Sequence, residues 1–99
     1  MAWTIWIGDK MNVILPIGSV VKLKNVKKPV MIFGYLQKSV AARMDTSDYI
    51  GVPYPEGNIN IHLQIGFQMN DIEEVLFEGY RTKAFEPWAR ILEIKRKHS

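Results

Sequence analysis

The chain has 99 residues, 47% of them hydrophobic and 23% charged, with a formal net charge of +3. That balance fits one globular domain and excludes a disordered polar chain. Cysteine is absent, which excludes disulfide scaffolds, zinc ribbons and thiol catalysis, and no apolar run approaches the roughly 18 residues of a membrane span.

The charge is unevenly spread. Residues 1–50 sum to +4, residues 51–94 to −4, and the tail Lys95-Arg96-Lys97-His98-Ser99 adds +3. Lys22, Lys24, Lys27 and Lys28 cluster, but an acidic half follows them. A small nucleic-acid-binding β module needs a concentrated basic face, so the simpler reading is a solvated strand edge with its loop.

Residues 1–10 have no basic leader and no small-residue cleavage site, so they are not expected to act as a secretion signal. Trp3, Ile5 and Ile7 alternate with Ala2, Thr4 and Trp6, a period of two that suits a strand. Met11 opens a second possible start, so residues 1–10 are expected to be an extension, packed as an edge strand or against a partner. Without an export signal the expected location is the cytoplasm.

Leu15-Pro16-Ile17-Gly18 reads as a turn leading into a strand over Ser19–Lys24. Asn25–Pro29 suits a hairpin loop. Val30–Gln37, apolar on both faces, predicts a central strand, with Gly34 marking a bulge or close approach. A polar connection follows over Lys38–Ser47, then a strand over Asp48–Tyr54 and a turn at Tyr54-Pro55-Glu56-Gly57-Asn58. Ile59, Ile61, Leu63, Ile65 and Phe67 share one parity, which predicts a strand with one buried and one wet face. Asn70 or Asp71 can cap a helical turn through Glu73 and Glu74, and Val75–Glu78 reads as a short strand.

The last element is a helix starting near Thr82 or Glu86 and running to about Ile94, with Pro87 in its first turn. Phe85, Trp88, Ala89 and Leu92 form its expected buried face. The fold class is therefore α+β: a mainly antiparallel sheet of five to six short strands with one C-terminal helix packed on it. The expected organisation is an extension (1–10), a single domain (11–94) and a basic tail (95–99).

Catalytic signals are weak. No serine sits in a nucleophile elbow, His62 falls on the wet parity of its predicted strand, and Glu73 and Glu74 are sequence neighbours that point apart. Phosphate loops and metal-ligand spacings are missing, so neither enzymatic activity nor a cofactor or metal is expected. Eleven large rings are many for one sheet and one helix to hide. Trp3, Trp6, Tyr35, Tyr54 and Tyr80 are the candidates for an exposed protein-binding patch.

Five ordered stretches carry a resemblance: Leu15-Pro16-Ile17-Gly18-Ser19-Val20-Val21, Met31-Ile32-Phe33-Gly34-Tyr35, Asp48-Tyr49-Ile50-Gly51-Val52, Tyr54-Pro55-Glu56-Gly57 and Asp71–Tyr80. Together, over about residues 13–82, the chain resembles a small Firmicutes domain family of unknown function encoded near type VII secretion and LXG polymorphic toxin genes. The resemblance implies a cytoplasmic chaperone or adaptor for a type VII-secreted LXG toxin. An immunity protein is the alternative. It assigns no catalytic residue. The expected partners are a cognate secreted toxin, a secretion-associated protein or a second copy of the chain; nucleic acid is not expected.

Overall fold

The structure, a computed structural model, describes residues 14–37 and 46–97. The fold is α+β, a five-stranded antiparallel sheet with a C-terminal helix. The strands are β1 (Val20–Leu23), β2 (Val30–Gln37), β3 (Ser47–Pro53), β4 (Ile65–Phe67) and β5 (Ile72–Phe77), and the helix is α1 (Phe85–Lys97). The strand order is β4-β3-β2-β1-β5, which places β2 at the centre as its two-sided apolarity predicts. β1 is internal, paired with both β2 and β5, and not an edge; β4 and β5 are the edges.

Alternation divides the sheet into two faces. Val21, Leu23, Val30, Ile32, Tyr49, Phe67, Ile72 and Val75 point to one side and share a core with Phe85 and Leu92 of α1. Val20, Met31 and Val52 pair across the strands on the other side. A bulge falls between Ile32 and Gly34 of β2, where the spacing of the ladder breaks.

Tyr49 is the keystone of the helix-side core. Its ring stacks on Phe67, with centroids 5.4 Å apart, and meets Tyr35 at 5.9 Å. The Leu15 N–H donates to the Tyr49 hydroxyl at 3.1 Å, and the Tyr35 hydroxyl donates to the Leu15 carbonyl at 2.5 Å. Two tyrosines thus pin the entering chain by both backbone groups of one buried residue. Burial pushes the Tyr49 phenol well above its ordinary value and the Tyr35 phenol up to about 12, the latter opposed by Arg81. Both pKa values are raised in the fold, so this contribution to stability is complete below the ordinary phenol pKa near 10 and is lost as pH rises through the folded values. Thermal melting followed against pH should therefore show Tm falling as pH rises from 10 to 12, with a shallower fall in Tyr35→Phe.

The helix begins one residue before Glu86, so Pro87 sits at its third position and costs no hydrogen bond of the first turn. It continues through Lys97, past the expected end at Ile94. Arg96 ties this end to the sheet through Asp48 at 3.0 Å. Asp48 also accepts the Met69 N–H at 2.8 Å, so one carboxylate joins α1, β3 and the turn after β4. Trp88 departs from expectation: it is 45% exposed, and the buried face is Phe85 and Leu92, with Ala89 packed against the core.

Two predicted elements are corrected. The continuous strand over Ile59–Phe67 shrinks to β4, preceded by a 3-10 turn over Ile61–Leu63. Its polar residues cause this: Asn60 Oδ1 accepts the His62 N–H at 2.8 Å, and the Gln64 amide donates to Asn58 Oδ1 at 3.1 Å. Such local side-chain bonds compete with a strand ladder. Ile59, Ile61 and Leu63 are consequently exposed instead of buried. The expected helical turn through Glu73 and Glu74 is also displaced. A 3-10 turn covers Met69–Asp71, where Asp71 accepts the Gln68 N–H at 3.0 Å, and both glutamates belong to β5.

Candidate functional site

A concavity lies on the sheet face opposite α1. It is an apolar groove of about 560 Å³. Gly18 and Val20 come from the turn and start of β1, Pro29 from just before β2 and Met31 from β2, Tyr54 from just after β3, and Leu76 and Phe77 from β5.

Several backbone contacts bring these elements together. Pro16 and Gly18 turn the entering chain, with the Ser19 N–H donating to the Pro16 carbonyl at 3.2 Å and Gly18 at φ +93°. The buried Ser19 hydroxyl accepts the Gly79 N–H at 2.9 Å, which fastens the exit of β5 beside this turn. The Tyr54 N–H donates to the Pro29 carbonyl at 2.9 Å and so sets Tyr54 against the opposite wall.

β5 supplies the most exposed part of the wall. Val20 pairs with Phe77 and Val21 with Val75, so Leu76 is the extra residue of a bulge. A bulge breaks the alternation, and the consecutive side chains of Leu76 and Phe77 both line the groove. Phe77 is 59% exposed and Tyr54 46%. Among the described residues, no carboxylate, imidazole, ammonium or guanidinium lines the groove. Such a lining offers apolar contact area with aromatic rings at its rim.

The sequence candidates separate. Tyr54 lines the groove. Tyr80 is 84% exposed just beyond Gly79, outside the lining. Tyr35 is half-buried on the helix side, its hydroxyl committed to Leu15. Trp3 and Trp6 lie outside the described residues. Of the lining residues sequence reasoning singles out Tyr54 alone; Met31, Leu76 and Phe77 are among those it misses, and only a visible bulge would have placed Leu76 and Phe77 on one side.

A smaller cleft of about 280 Å³ between Ile14 and α1 has a different character. Arg81 crosses it, bound to Glu78 at 2.6 Å and Glu86 at 3.3 Å, with its guanidinium 5.0 Å from the Phe85 ring centre. These are interactions that hold the start of α1 in place. Two members of the lysine cluster are also engaged: Lys22 with Glu73 at 3.1 Å and Lys28 with Glu56 at 2.6 Å. The Lys28 ammonium holds the Glu56 carboxyl below its ordinary pKa. Among the described residues no group of three or more His, Asp or Glu side chains could hold a metal ion, and no helix is long and apolar enough to cross a membrane.

The family described as a domain of unknown function, DUF4176, matches residues 14–86. The chain belongs to the DUF4176 family. The match begins at the tyrosine-pinned entry segment, spans every strand and ends in the first turn of α1, so the groove lies wholly within the DUF4176 domain. No curated protein and no solved structure matches the chain.

Proposed function

We propose that this DUF4176 protein is a non-enzymatic, protein-binding accessory factor, a cytoplasmic chaperone or adaptor that engages a type VII-secreted LXG toxin before export. The observation that carries the binding role is the groove. Aromatic and aliphatic side chains from β1, β2, β5 and the residue after β3 converge on a concave surface with no charged group among the described residues, and Tyr54 on one wall and Phe77 on the other are left open to solvent. The toxin as partner comes from the family resemblance in the five ordered motifs.

Recognition would use two features together. One or two large apolar side chains of the partner fill the groove, and the edge of β5 offers backbone groups for strand addition beside them. An apolar anchor in a pocket beside a backbone ladder gives affinity and register without catalytic chemistry.

Co-expression with an LXG toxin from the same genome, followed by pull-down, tests this reading. A complex with the N-terminal export half supports an adaptor. A complex confined to the C-terminal toxin half would make it an immunity protein, and no complex with either half would overturn both readings.

A further inference from the structure

The outer face of α1 carries a second pattern, on the side of the sheet away from the groove. Phe85 and Leu92 are buried against the sheet, which turns Trp88, Ile91 and Ile94 outward at 45%, 46% and 59% exposure. Pro87, Ile91 and Ile94 are spaced four and three residues apart, the spacing of a heptad seam, and Trp88 borders it. A helix with apolar residues on two opposite sides is built to pack twice.

The charges beside this seam are of one sign. Arg90 flanks it within the helix, Lys95 borders it one heptad after Trp88, and Lys83 precedes Arg90 by one heptad in the leading turn. All three are exposed and make no ion pair among the described residues. The helix's own acids are committed elsewhere, Glu86 to Arg81 and Glu93 to Arg96. In paired helices, residues flanking the apolar seam select the partner by charge.

The geometry points to a docking site for a partner helix whose apolar seam is flanked by acidic residues. A second copy of this chain is disfavoured, because pairing α1 with itself would set Arg90, Lys95 and Lys83 against like charges. An anionic bilayer shares the charge preference, but three side chains on a seam of about two turns fit one helix better than a surface anchor, which needs more buried apolar area or a second signal. This surface stands apart from the groove: it lies on the other side of the sheet, and it depends on no assumption about a toxin.

The test uses the full chain and two synthetic helical peptides of about three heptads with identical Leu and Ile seams, one flanked by Glu and the other by Lys. Isothermal titration at low salt should show the Glu-flanked peptide binding at least about tenfold tighter, with the advantage shrinking at high salt. The double substitution Arg90→Glu and Lys95→Glu should invert the preference, and Ile91→Ser should weaken binding of the Glu-flanked peptide with Tm preserved. Should the charge-reversed variant fail to fold, the peptide pair on the unaltered chain still decides. Equal affinity for both peptides, no binding of either, or binding only to equimolar phosphatidylglycerol–phosphatidylcholine vesicles would overturn the proposal.

Discussion

Gly51→Ala and Gly79→Ala should each lower stability by about 3 kcal/mol, a drop in Tm on the order of 10–20 °C for a domain of this size. A Cβ on Gly51 would overlap the Val30 Cγ1 methyl and sit 3.0 Å from the Met31 carbonyl oxygen and 3.1 Å from Phe67 Cε1. None of these can withdraw: Val30 and Phe67 are core residues, and Met31 belongs to the central strand. A Cβ on Gly79 would overlap the Ile17 carbonyl oxygen and lie 3.0 Å from the Ser19 nitrogen. Relief would require parting the two segments and breaking the bond from Gly79 N–H to the buried Ser19 hydroxyl. Gly34→Ala is the internal control. Its Cβ would meet Gln37 Nε2 at 3.6 Å and Ile50 Cβ at 3.7 Å, ordinary contact distances, so its Tm should stay close to the parent's. Thermal and urea unfolding of the three variants distinguishes close backbone approach from a general intolerance of alanine.

Tyr49→Ala should cost about 3–5 kcal/mol, the range for deleting a large core ring. Tyr49 is fully buried, and the deletion removes the stack on Phe67, the contact with Tyr35 and the acceptor for the Leu15 N–H. Tyr49→Phe isolates the last of these. It keeps the ring but leaves a buried backbone donor without its acceptor, for about 1–3 kcal/mol. Tyr35→Phe should cost less, about 1 kcal/mol, because Tyr35 is only half-buried. The order Tyr49→Ala, Tyr49→Phe, Tyr35→Phe in urea unfolding would establish that the tyrosine pair anchors the entering chain. A large loss in Tyr49→Ala beside no loss in Tyr49→Phe and Tyr35→Phe would mean that packing alone matters.

β2 and β3 were readable because apolar runs of strand length are bounded by Pro, Gly and Asn, and both bounds fall within a residue or two of the expected ones. α1 was readable because its period and N-terminal proline agree. The segment from Ile59 to Leu63 was misread for a physical reason. Alternation reports a strand only where backbone groups find a ladder, and here Asn58, Asn60 and Gln64 satisfy one another and the backbone locally. At Trp88 the i, i+3, i+4 pattern fits two helix faces, and the sheet takes the one centred on Phe85 and Leu92. The groove was only partly legible. Tyr54, an aromatic ring at a turn, could be picked out, whereas Leu76 and Phe77 share a wall only because β5 slips against β1, and Met31 joins them across β2.

That slip makes the bulge of β5 the centre of the functional account. The measurement that tests it most directly is the affinity of the purified LXG export half for the parent chain and for the double variant Leu76→Ser, Phe77→Ser. Both residues are well exposed, so the variant should keep its stability to within about 1 kcal/mol. If the groove is the binding site, affinity falls by about 30-fold or more, the loss expected on truncating central anchors. Unchanged affinity in a folded double variant would contradict the groove as the site of recognition.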